Sequence, residues 1–426
     1  MQRLDARDAG FAAAFARLVG DRRDGDASVA SDVAAIIADV RARGDAAVHE
    51  LTLRFDSVDL TAGSRIDAAE IAAARAKVPA ETLAALEFAA QRIRAFHEGQ
   101  RPAGHDATDA AGVRAGYRWS AVEAAGLYVP GGRASYPSSV LMNAIPAAVA
   151  GVERLVMVTP TPGGTANPLV LAAAALAGVT EIHRIGGAQA IAALAYGTAS
   201  IAPVDVVVGP GNAWVAEAKR QLYGTVGIDM VAGPSEIVVV SDARSNPEWV
   251  AADLLSQAEH DPSAQSILIT DDALFADDVV AAVERQLRRL TTEATARASW
   301  ETHGAVIVVA HPGDSIDLLD ALAAEHVELM VDDPYALFAR MRHAGSVFLG
   351  RHTPEAAGDY VGGPNHVLPT GRRARFASGL SVTNFMKRTT FLDCSASGLA
   401  AIGPAAAILA DAEGLPAHAA SVRVRL

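Results

Sequence analysis

The sequence predicts an α/β protein: two domains on parallel sheets, a helical N-terminal segment and a short C-terminal tail. Three observations carry this. Short Val/Ile/Leu-rich runs alternate with Ala-rich helical stretches between about residues 111 and 235. The alternation restarts after Gly233-Pro234 and continues to about 375. The first 110 residues instead place apolar side chains at helical spacing. Alternating β and α units imply parallel sheets wrapped by helices. The expected segments are therefore 1–110, 111–235, 236–375 and 376–426.

In chain order, helical periodicity marks Asp32–Arg43, Asp67–Lys77 and Glu81–His97. Arg101–Gly112 is rich in Gly, Asp, Ala and Pro without periodicity and reads as a linker. A strand-like run at Val122–Val129 ends in Pro130-Gly131-Gly132. Strands follow at Arg154–Thr159, Ile182–Ile185 and Val204–Val208, with helices at Pro168–Ala177 and Ala188–Tyr196. The second run gives strands at Glu236–Val240, Ser266–Thr270, Ala305–Val309 and Ser346–Leu349. Its helices are Pro247–Glu259, Ala273–Leu290 and Ser315–Ala324. Asn246 suits an N-cap, Pro247 the first helical position, and Pro262 forbids continuation past His260. After about residue 376 the chain is too short for a domain and should pack on another domain or another subunit.

Of 426 residues, 51% are hydrophobic, 20% charged and 5% aromatic, a globular profile rich in small aliphatics. The net charge of −13 argues against a nucleic-acid surface. The local cluster Gly371-Arg372-Arg373-Ala374-Arg375 reads as a solvated loop. A single cysteine, Cys394, precludes an intrachain disulfide and suits a reducing compartment. It reads as a packing residue, and Ser235 as a hydrogen-bonding or structural serine without a nucleophile elbow. The start Met1-Gln2-Arg3-Leu4-Asp5 lacks a signal-peptide layout, and the most apolar stretch, Leu169 to Val179, is too short to span a bilayer. A cytoplasmic, membrane-free protein is expected.

Chemistry-bearing side chains gather in a few places. Gln257 and His260 lie three apart in Ser256-Gln257-Ala258-Glu259-His260-Asp261-Pro262, so on a helix they share a face and can close on one ion. Their helix ends at a sheet edge, where open α/β sheets bind ligands. Asp359 and His418, far along the chain, offer the oxygen and imidazole nitrogen that would complete a zinc-type shell. Glu325-His326 is a candidate acid/base couple, because His titrates near neutral pH. No Gly-x-Gly-x-x-Gly occurs. Gly209-Pro210-Gly211-Asn212 and Ile185-Gly186-Gly187-Ala188-Gln189 each sit between a strand and a helix, as either a ligand loop or a plain βα turn. Of the twelve histidines, His49, His97, His105, His303, His311, His343 and His352 read as surface residues, and His183 as a satisfied structural one. His260, His326, His366 and His418 stand apart through their neighbours.

Ten ordered blocks from about residue 120 onward closely resemble the histidinol dehydrogenase family. They include Leu127-Tyr128-Val129-Pro130-Gly131-Gly132, Tyr136-Pro137-Ser138-Ser139, Gly186-Gly187-Ala188-Gln189, Gly209-Pro210-Gly211-Asn212, Gly233-Pro234-Ser235-Glu236 and Gln257-Ala258-Glu259-His260. The remainder are Glu325-His326, Gly358-Asp359-Tyr360, Asn365-His366-Val367-Leu368-Pro369-Thr370 and Glu413-Gly414-Leu415-Pro416-Ala417-His418. The resemblance implies two Rossmann-like domains and NAD-dependent, four-electron oxidation of L-histidinol through L-histidinaldehyde to L-histidine. It implies one zinc per subunit on Gln257, His260, Asp359 and His418. NAD contacts would be Tyr128, Gln189 and Asn212, and substrate contacts Ser235, Gln257, His260, His326, Asp359, Glu413 and His418, with His366 nearby. Glu325 and His326 would move protons, and the tail bearing Glu413 and His418 would cross to the partner in a homodimer. The rival readings are a related dehydrogenase of another small amino- or hydroxy-alcohol, a zinc hydrolase and a binding scaffold. The hydrolase leaves both glycine turns unexplained and lacks His-Glu-x-x-His. The scaffold finds no repeats to support it.

Overall fold

The computed structural model describes residues 1–20, 29–131, 136–231 and 233–426. Gly132, quoted above within a motif, lies outside the described residues. Fourteen strands are formed by the described residues: β1 (Gln2–Asp5), β2 (His105–Thr108), β3 (Val113–Ala121), β4 (Ala124–Tyr128), β5 (Arg154–Val158), β6 (Glu181–His183), β7 (Val206–Val208), β8 (Gly227–Ile228), β9 (Glu236–Ser241), β10 (Gln265–Thr270), β11 (Ala305–Val308), β12 (His326–Met330), β13 (Ser346–Leu349) and β14 (Met386–Cys394). They build two parallel sheets, ordered β6-β5-β4-β7-β8 and β1-β11-β10-β9-β12-β13, and a third, antiparallel sheet, β14-β3-β2. The expected α/β class with parallel sheets is what the chain adopts.

Both parallel sheets are covered on two faces, and strand alternation decides which side chain faces which layer. Ala125, Leu127, Leu155 and Met157 pack against one helical layer that includes Pro137–Ala150 and Pro168–Ala177. Ala124, Tyr128, Val156 and Val158 point the other way, towards Ala30–Arg43, Asp45–Asp56, Gly187–Tyr196 and Ala213–Leu222. In the second sheet, Val238, Ile267, Ile307 and Leu329 meet the helices Phe11–Gly20 and Ser315–Leu322. Ile237, Val239, Leu268 and Met330 meet Pro247–Ala258 and Ala273–Leu287. His326 is in phase with Met330, so it emerges on the face carrying the Pro247–Ala258 helix.

The N-terminal segment is mainly helical, but its helices cover faces of both sheets, and Gln2–Asp5 pairs with β11 as an edge strand. The linker expected at Arg101–Gly112 contains a strand, His105–Thr108. All four of its residues are exposed, and only the ladder to β3 makes it β. The tail carries β14, a helix Ala396–Ala412 and a second helix Pro416–Arg423. Among the described residues, no helix is long and apolar enough to cross a membrane.

Candidate active site

The expected cap holds the helix that carries Gln257. Asn246 Oδ1 accepts from Glu248 N at 2.9 Å, a contact worth about 1 kcal/mol. The helix ends at Ala258 and Pro262 follows, so Gln257 and His260 stand at its C-terminal end. From there the chain enters β10 at its amino end. Ser235 directly precedes β9, and His326 opens β12. The cluster therefore lies at the amino ends of the second sheet's strands. The sheet edge expected for this helix end is thus the amino one, because the helix runs antiparallel to the strands it joins.

Gln257, Glu325 and His326 are buried. His326 Nδ1 lies 2.9 Å from Gln257 Oε1 and 3.2 Å from the Glu236 carbonyl oxygen. Both neighbours are acceptors, so Nδ1 carries the proton and Nε2 holds the lone pair. Nε2 is buried without a hydrogen-bond partner and faces Glu355 Oε1 at 3.6 Å and Asp359 Oδ1 at 3.9 Å. Burial pulls the imidazole down to about 3, with the charges of His260 and His366 adding to the effect. It is a neutral base at physiological pH. Glu325 Oε2 accepts from Glu236 N at 3.0 Å and lies 3.7 Å from His326 Nδ1. Burial pushes its carboxyl well above the usual range, and Glu236, Asp359 and Glu355 push the same way.

Asp359 reaches the cluster because Gly358 lets the short helix Glu355–Tyr360 lie on Phe348. A Cβ at Gly358 would stand 2.4 Å from that ring. His366 Nδ1 donates to the Asp359 carbonyl oxygen at 2.9 Å, and burial lowers this ring to about 4. Next to it, Asn365 Nδ2 donates to the Met142 carbonyl oxygen at 2.6 Å, so His366 stands where the two α/β units meet. Ligand atoms of His326, Glu355 and Asp359 lie within 4.8 Å of one another. Only Asp359 of these belongs to the expected zinc set. His260, exposed, is close enough for its charge to act on His326, His366 and Glu355. Glu413 and His418 are exposed on the tail of the same chain, and among the described residues neither makes a hydrogen bond or ion pair with the cluster. The donors are nitrogen and oxygen, and two of them, His326 Nε2 and Glu355 Oε1, are buried without partners. Crowded, raised carboxyls beside such atoms fit a divalent cation of the zinc type.

Sequence reasoning missed Glu355, whose i, i+4 relation to Asp359 on one short helix was the available signal. Burial, followed by the charge of Asp359, pushes the Glu355 carboxyl up to about 8. The folded chain then keeps a proton that an unfolded chain releases near the ordinary value of 4.5. This contribution to stability is present below pH 4.5 and lost as pH rises towards 8. Metal-stripped protein should lose melting temperature over that window, and Glu355→Gln should flatten the slope in calorimetry. An unchanged slope would count against this account.

Two other expectations change. Arg372 is buried: it pairs with Glu236 at 3.1 Å and donates to Gln265 Oε1 at 2.6 Å. The arginine run is thus not simply a solvated loop, since an internal carboxylate compensates the charge. His97 is also buried, between the Ile93 carbonyl at 2.8 Å and Asn365. His183 is the satisfied structural residue expected, bonded to Ser64 at 2.8 Å and Glu181 at 2.7 Å.

The glycine turns lie at the carboxyl ends of the first sheet. β4 is its central strand, and the order reverses between β4 and β7, where such sheets bind ligands. Tyr128 ends β4, and its hydroxyl accepts from Gly187 N at 3.2 Å; burial raises its pKa to about 12. Gln189 folds back over Gly187. Asn212 caps the Ala213–Leu222 helix by accepting from Trp214 N and Val215 N. Tyr128 and Gln189 thus meet at one helix N-terminus, and Asn212 sits at another.

A family model described as histidinol dehydrogenase matches residues 21–426. The chain belongs to the histidinol dehydrogenase family. It is 64% identical over 425 residues to the histidinol dehydrogenase of Zymomonas mobilis, covering 100% of this chain and 99% of that one. Histidinol dehydrogenase 1 of Trichormus variabilis is 60% identical over 423 residues, 99% and 98% of the two chains. The crystal structure of histidinol dehydrogenase from Elizabethkingia anophelis matches with a TM-score of 0.94 at 36% identity, over 100% of this chain and 98% of that one. As a member of this family the chain is an enzyme, an oxidoreductase.

Proposed function

We propose that this chain oxidises L-histidinol through L-histidinaldehyde to L-histidine, the last step of histidine biosynthesis, with NAD and one zinc per subunit. The observation that carries the reading is the unpaired Nε2 of neutral His326, aimed at the Asp359–Glu355 carboxyls. Gln257, His260, Asp359 and His418 would hold the zinc, and Tyr128, Gln189 and Asn212 the cofactor. Bound NAD would accept a hydride at each oxidation, and bound zinc would orient the substrate's imidazole and amine. His326 Nε2 takes the hydroxyl proton in the first oxidation, while Gln257 and the Glu236 carbonyl fix the ring through Nδ1. Glu325 takes a proton from the water that adds to the aldehyde carbon. Its buried environment makes the ionised carboxylate a stronger base than a solvated one. Ser235 and Glu413 complete the substrate contacts. A cytoplasmic setting belongs to the same reading.

The test is direct. Purified protein given L-histidinol and NAD should form two reduced cofactors per L-histidine. Faster turnover of another small amino alcohol would favour the rival dehydrogenase.

The reading includes a homodimer in which Glu413 and His418 act in the second subunit's site. Their exposure supports it, as does the uncovered apolar surface of the tail, where Leu392, Ile408 and Leu409 are 65%, 65% and 63% exposed. Mixing inactive His418→Ala chains with inactive His260→Ala chains should restore some activity, because each heterodimer holds one intact site. Free subunit exchange with no recovered activity would place the tail in its own chain's site.

A further inference from the structure

Behind the second glycine turn lies a buried ion pair that the chemistry above does not use. Lys219, on the Ala213–Leu222 helix, pairs with Asp229, and the two side chains are 2% and 0% exposed. The Lys219 ammonium also donates to the Gly209 carbonyl oxygen at 3.0 Å. Asp229 Oδ2 accepts from Gly209 N at 2.8 Å, and its Oδ1 accepts from Met230 N at 2.6 Å. The two charges therefore grip the two polar groups of one glycine. That glycine has φ of 114°, and a Cβ on it would stand 2.1 Å from the Tyr128 carbonyl oxygen. No other residue fits there.

Stability alone is a poor account of this pair, since apolar side chains of similar volume would fill the space without desolvating two charges. Its location is more telling. Gly209 opens the turn that ends in Asn212, and it rests on Tyr128, so the pair stands behind two of the three residues assigned to the cofactor. We propose that Lys219 and Asp229 are positioning residues for NAD: they hold the Gly209–Asn212 turn in its receiving shape before the cofactor arrives. The inference rests on the NAD reading above. Both charges point inward and satisfy each other, so the pair acts on the turn and not as a counter-ion to the cofactor.

Steady-state kinetics of the full-length, zinc-loaded enzyme test this with Lys219→Met, Asp229→Asn and the double variant, which leaves no lone buried charge. KM for NAD should rise roughly tenfold or more, while kcat and KM for histidinol change far less. A lowered melting temperature with unchanged KM for NAD would make the pair purely structural and overturn the proposal. So would an equal rise in both KM values. If no variant folds, hydrogen exchange on the wild type decides. Amides of residues 209–215 already protected without NAD support the proposal, and protection only on NAD addition overturns it. Wild-type activity is read first, because enzyme that reduces no NAD refutes the cofactor reading itself.

Discussion

Replacing His260 with Asn, or Asp359 with Ala, should empty the metal site while leaving the fold intact. Neither residue belongs to a hydrophobic core. His260 is exposed, and Asp359 lies on a six-residue helix where its charge crowds Glu355. Removing that carboxylate empties no core packing, so circular dichroism and melting temperature should hold. The loss appears in elemental analysis, where zinc should fall from near one per chain to near none. Turnover should drop by several kcal/mol in barrier, roughly 10³-fold. A variant that keeps full zinc would remove the replaced residue from the ligand set.

His326→Gln should cost about 10²–10⁴-fold in histidinol oxidation, the usual worth of a positioned general base. An amide in that place can still donate towards the Glu236 carbonyl but cannot take a proton. Zinc content should stay unchanged, since the four assigned ligands remain; lost zinc would make His326 Nε2, which lies beside Asp359 and Glu355, a ligand and not the base. Glu325→Gln separates the half-reactions. It should reach the aldehyde level and stall, giving one reduced cofactor per substrate instead of two. Equal loss of both steps would show that the two residues do not divide the proton transfers.

The contrast between these two neighbours shows what a single sequence displays. Glu325-His326 was visible as a pair of functional types, but the strand beginning there was not. A run opening on Glu and His lacks the apolar signal that marked β5, β9 and β10. The helix bearing Gln257 was legible because Asn246-Pro247 punctuates its start. Tertiary pairing stayed hidden. β1 and β2 are polar and become strands through partners elsewhere in the chain, and Arg372 is buried only because Glu236 waits inside. Glu355 escaped for a similar reason. An acidic residue on a short helix looks solvated until the fold folds it under.

Gln2–Asp5 pairs with Ala305–Val308, about 300 residues further along the chain. At roughly 5–20 residues per second of synthesis, the earlier strand waits some 15–60 s for the later one to exist. Closing so long a span costs entropy before any contact returns it, which makes this edge a late and slow event in assembly. During that wait the segment offers bare peptide groups to any passing strand. Gln2, Arg3 and Asp5 make it a poor template for such pairing. The residues that hide this strand from a pattern reader also weaken it as a template for stray pairing.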